Sequence, residues 1–162
     1  MKSLTLALLG AGVLWLHLTM SPHLAVYGIR PNLILVGLML TAFRGISPLS
    51  LVFAVGAGLT QDAMTHGMMG VYGLTFLMTV GVAYWVGRFL YEQNLLVQSL
   101  AIMGLTLVDG VITLVVLQFV EEDVPSFTWF FTRSFPVAIY HGALTPVFHW
   151  GLSKLDLLFE RD

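Results

Sequence analysis

Charge interrupts this sequence so sparsely that the apolar runs between charged residues reach the length needed to cross a lipid bilayer. A helix rises 1.5 Å per residue, so about 20 apolar residues cover roughly 30 Å of hydrocarbon. Seven Lys or Arg and nine Asp or Glu are spread over 162 residues, of which 57% are hydrophobic, and the mean hydropathy is +0.88. A soluble domain carries about 25% charged residues; here the share is 10%. Apolar surface in this excess is stable where the surrounding solvent is itself hydrocarbon. The sequence therefore predicts an all-α integral membrane protein, a bundle of six transmembrane helices forming one domain over residues 1–162.

Charges and prolines mark the six predicted spans at about 4–20, 31–44, 48–65, 69–87, 95–120 and 127–154. Met1-Lys2-Ser3 before the first run has the look of a secretory leader. The apolar run from Leu4 to Met20 exceeds the usual leader core of about 7–15 residues, and no small-x-small cleavage site follows it, so a retained helix is expected. The second span begins after Arg30-Pro31, where proline suits a first helical turn. It is short, which predicts a start above the membrane or a locally thinned bilayer. Ser47-Pro48 supplies a cap residue and an N1 proline for the third span.

Orientation follows from Lys and Arg placement, which is enriched in cytoplasmic loops. With the N-terminus inside, Lys2, Arg44, Arg88, Lys154 and Arg161 fall on the cytoplasmic side, and Arg30 and Arg133 on the outer side. An even number of spans with both termini inside satisfies this asymmetry. Phe127, Trp129, Phe130 and Phe131 then form an outer aromatic girdle, with Tyr84, Trp85 and Tyr91 near the inner surface.

Ionisable groups within hydrocarbon need partners. Asp109 lies about 16 Å from the outer end of the fifth span, and His141 and Arg133 about 21 Å and 9 Å from the outer end of the sixth. Asp109 is expected to face the bundle interior, paired with His141 or Arg133, or held as a structural group by Thr106 or Thr113. Arg30 and Asp62 both fall at the outer boundary. An acid in a helix's last turn opposes the macrodipole, which favours a nearby cation; a solvated, unpaired arrangement is the alternative. Ala54/Gly58 and Ala7/Ala11 have small-xxx-small spacing, and Gly56, Gly67 and Gly70 add further small residues for close helix packing.

Several chemistries lack their residues. The net charge of −2 offers no electrostatic footprint for nucleic acid. With no cysteine, disulfides, zinc–thiolate centres and cysteine nucleophiles are excluded. No Walker loop, HExxH, GxSxG, voltage-sensor arginine array or potassium-filter motif occurs. His17, His23, His66 and His149 are scattered over separate segments, so neither a metal nor a cofactor site is expected.

Arg30-Pro31-Asn32-Leu33-Ile34-Leu35, then Val55-Gly56-Ala57-Gly58-Leu59-Thr60-Gln61-Asp62, then Gly67 through Gly70, resembles the MreD family of bacterial rod shape-determining membrane proteins. Asp109 in the fifth span, with His141-Gly142 and Pro146 in the sixth, is similar to that family's later pattern. The resemblance covers nearly the whole chain and implies a noncatalytic scaffold of the cell-elongation machinery in the bacterial cytoplasmic membrane. Implied partners are the single-span protein MreC, peptidoglycan synthases and actin-like filament proteins, and a homodimer within the complex is compatible with it. It further implies distant similarity to the six-helix substrate-binding subunits of energy-coupling vitamin transporters. That similarity sharpens the alternative function, a small-molecule-binding subunit of a transporter with a cavity opening outward near Arg30, Asp62, His66 and the loop after the fifth span.

Topology reporters fused before Lys2 and after Asp162 are expected to report the same, cytoplasmic side. Reporters on opposite sides would remove the even span count.

Overall fold

The computed structural model describes residues 17, 19, 25, 29–46, 48–65, 68–90, 94–120, 128 and 130–159. The described chain is helical. Helix α1 is Leu33–Arg44, α2 Pro48–Thr65, α3 Val71–Gly87 and α4 Leu95–Val120; a π-helical turn, Phe130–Ser134, leads into α5, Phe135–Phe159. Of the first predicted span, His17 and Thr19 are helical and the rest lies outside the described residues. Ala7, Ala11, His23, His66 and Gly67 also lie outside them.

Among the described residues one helix, Leu95–Phe119, is by length and composition able to cross a membrane, with mean hydropathy 2.4 over its best window. Helix α3 is apolar but has 17 residues, and α1 has 12, which at 1.5 Å each reach only about 18 Å. The shortness of α1 has a packing reason rather than a bilayer one. Leu33, Ile34, Leu35, Val36, Met39, Leu40, Ala42 and Phe43 are all buried. A helix apolar on every side is a core helix, and one wrapped by protein has no hydrocarbon thickness to match. Helix α1 lies against α3 and also meets α5, α2 and α4, while α2 packs along α3 and α4 along α5.

Backbone approach at α1–α3 and α2–α3 depends on glycine. A β-carbon on Gly58 of α2 would stand 2.4 Å from the Tyr72 carbonyl oxygen and 2.5 Å from Gly73 Cα. One on Gly87 of α3 would stand 2.7 Å from Phe43 Cα. Ala54, one turn before Gly58, is fully buried, so the Ala54/Gly58 pair lies on a packed face. Gly56 does not share this role: two residues rotate a helix by about 200°, and Gly56 faces outward with nothing within 4 Å of its missing β-carbon. Gly70 is likewise no packing glycine. Its φ of +105° turns the chain into α3, a left-handed conformation that only glycine adopts without strain.

Gly58→Ala is expected to destabilise the fold by about 1–3 kcal/mol, because the opposing atoms are backbone and cannot swing away. Gly56→Ala is expected to stay within about 0.5 kcal/mol of the parent. Thermal unfolding of the detergent-solubilised variants checks the contrast, and equal losses would contradict the α2–α3 contact.

Candidate functional site

Three knots of internal polar groups stand out among the described residues. The first surrounds Asp62, near the end of α2. Its carboxylate is 1% exposed and accepts backbone N–H bonds from Gly70 at 2.8 Å, Tyr72 at 2.9 Å and Gly73 at 3.4 Å. The first N–H groups of a helix have no intrahelical acceptor, and α3 receives none from the side chain of its own cap position, which is Gly70. Asp62 supplies the acceptor from the preceding helix instead. The negative charge that opposes the dipole of α2 complements the positive end of α3. Among the described residues no ion pair joins Arg30 to Asp62: the three N–H groups occupy the carboxylate, and Arg30 is exposed.

The second knot joins three helices through His141 of α5, which is fully buried. Its Nε2 accepts the backbone N–H of Asn32 at 2.9 Å. A backbone N–H can only donate, so Nε2 must present its lone pair and the ring proton resides on Nδ1. That Nδ1–H donates to Thr106 Oγ1 of α4 at 3.0 Å. The Thr106 hydroxyl in turn donates to the Ile102 carbonyl at 2.8 Å. Every donor meets an acceptor only if His141 is neutral. Asn32 is fixed a second time, because its side-chain Oδ1 accepts the Leu35 N–H at 3.1 Å and caps α1. The Arg30-Pro31-Asn32 motif and His141, 109 residues apart, thus meet in one contact.

Asp109 forms the third knot with a partner that the sequence did not single out. Thr79 Oγ1 of α3 donates to Asp109 Oδ1 at 2.7 Å. Neither expected ionic partner reaches Asp109: both ring nitrogens of His141 are engaged elsewhere, and Arg133 is exposed on the π-helical turn. The expected Thr106 bond is spent on His141 and Ile102. The available signal for Thr79 was its spacing from Thr75, four residues earlier, which puts two buried threonines on one face of α3. A further bond that sequence reasoning missed links His17 Nε2 to Gln61 Oε1 at 3.3 Å.

His141 cannot take up a proton without breaking its bond to Asn32, and Asp62, fully buried against the first turn of α3, presents no open face to an external cation. Among the described residues no three His, Cys, Asp or Glu side chains come together to hold a metal ion. These geometries tie helices to one another; of the two carboxylates in the three knots, Asp109 is the one with an oxygen that takes no bond among the described residues. No family model, curated protein or solved structure matches the chain.

Asp62→Ala is expected to cost about 2 kcal/mol, the upper range for loss of a helix cap, and Asp62→Asn less, since one oxygen remains. His141→Ala is expected to cost a similar amount by leaving the Asn32 N–H buried and unpaired. Arg30→Ala is expected to leave the thermal midpoint unchanged; a loss matching that of Asp62→Ala would reinstate the ion pair.

Proposed function

We propose that this chain is a multi-pass scaffold of the bacterial cytoplasmic membrane that serves the cell-elongation machinery by holding the single-span protein MreC. In this reading it has six spans, both termini inside and no catalytic role. MreC links it to the peptidoglycan synthases and actin-like filaments of that machinery.

The observation that carries the reading is how the interior polar groups are used. A carrier of polar small molecules needs convergent unengaged groups at depth, whereas Asp62 and His141 are committed to backbone N–H groups of this chain. The outward faces are apolar instead: Leu96 is 75% exposed, Phe119 85%, Trp85 61% and Val147 63%. Lipid or another apolar helix is the natural neighbour of such faces. In lipid, helices associate through close packing and a few interhelical hydrogen bonds rather than through the hydrophobic effect. The ordered motifs from Arg30 to Pro146 that resemble the MreD pattern narrow this general scaffold to the elongation machinery.

The test is affinity purification of the tagged chain, co-expressed with MreC of the same organism, from mild-detergent extracts. Stoichiometric recovery of MreC is expected. Recovery of an ATPase module in its place would sink the scaffold and favour a transporter subunit.

A further inference from the structure

The polar bond between α3 and α4 is only half complete. Asp109 gives Oδ1 to Thr79, and its Oδ2 has no partner among the described residues. That oxygen is not sealed in the core: Asp109 is partly exposed, and Oδ2 is not among the buried atoms left without a bond. The residues preceding the bonded pair are open on both helices, Val108 of α4 at 39% and Met78 of α3 at 48% exposure. The Thr79–Asp109 bond therefore lies at the floor of an outward seam with apolar rims. Asp109 is the fifteenth residue of the 26-residue α4, so it stands near mid-depth of a helix long and apolar enough to cross a bilayer. At that depth there is no bulk water to satisfy a carboxyl oxygen, and ionisable groups in hydrocarbon are found facing a partner.

Resting on the scaffold reading above, the geometry points to the α3–α4 seam as the docking site for the transmembrane helix of MreC, which presents a hydrogen-bond donor side chain to Asp109 Oδ2. The occupant is a helix rather than a lipid tail because an acyl chain carries no donor for the open oxygen. Thr79 holds the carboxyl in place, so its hydroxyl is a positioning group for the contact.

The experiment uses the full chain co-expressed with MreC in native membranes. Photoreactive residues replace Val108, Met78, Val147 or Ile139 one at a time, the last two lying on the outward side of α5. Crosslinks to MreC from positions 78 and 108, and none from 139 and 147, are expected. In parallel, Asp109→Leu is expected to lower MreC recovery about three- to tenfold, the range of one interhelical hydrogen bond in a membrane. Asp109→Asn keeps an acceptor for Thr79 and controls for folding, with an unchanged elution profile and a smaller loss of recovery. Crosslinks only from α5, or undiminished recovery with both Asp109 variants, would overturn the seam while leaving the scaffold intact. Failure of MreC to associate with the parent chain would overturn both.

Discussion

A polar group enclosed among apolar side chains must find its hydrogen-bond partner within the protein, because neither the packed core nor a hydrocarbon surround supplies one. The bundle is organised by that requirement. Its most enclosed element, α1, has apolar side chains on every face, yet its first turn carries N–H groups that no helix can satisfy by itself. Asn32 closes one of them with its own side chain and hands its backbone N–H to His141. His141 passes the demand to Thr106, and Thr106 ends it on its own helix's backbone. One chain of bonds fixes α1 against both α4 and α5, and it fixes the histidine tautomer as well.

The same requirement explains why neither Asp62 nor Asp109 takes a basic side chain as its partner among the described residues. Asp62 is the charged group most deeply committed, and its partners are peptide dipoles rather than a basic side chain. Backbone N–H groups at a helix start are already oriented and cost no side-chain entropy to recruit. An arginine would have to be immobilised and desolvated first. Asp109 follows the same pattern with a threonine hydroxyl.

The sequence made the coarse plan legible through long-wavelength features. Sparse charges bounded the helices, Ser47-Pro48 signalled the start of α2, which begins at Pro48, and the Ala54/Gly58 spacing marked a packed face. Asp62, Asp109 and His141 stood out because ionisable residues are rare in apolar runs. Their partners did not, for a physical reason: the acceptors and donors chosen are main-chain N–H groups and hydroxyls, which every segment offers and no pattern distinguishes. Charge-to-charge pairing suggested Arg30 for Asp62 and His141 or Arg133 for Asp109, and backbone geometry decided otherwise. The burial of α1 was hidden similarly. An apolar run of 12 residues does not by itself reveal that protein surrounds it on every side.

The three knots differ greatly in the length of chain that each closes. Asp62 reaches groups 8 to 11 residues ahead, so α2, its glycine turn and α3 form a hairpin whose cap depends on nothing outside it. The bond from Asn32 to His141 spans 109 residues. Closing a long loop is entropically dearer and slower than closing a short one. During synthesis the hairpin can assemble as soon as its two helices exist, whereas the first turn of α1 stays unfastened until the last helix arrives. Until α5 is made, α1 keeps its own Asn32 side-chain cap but lacks the tie that holds that tip to the rest of the bundle.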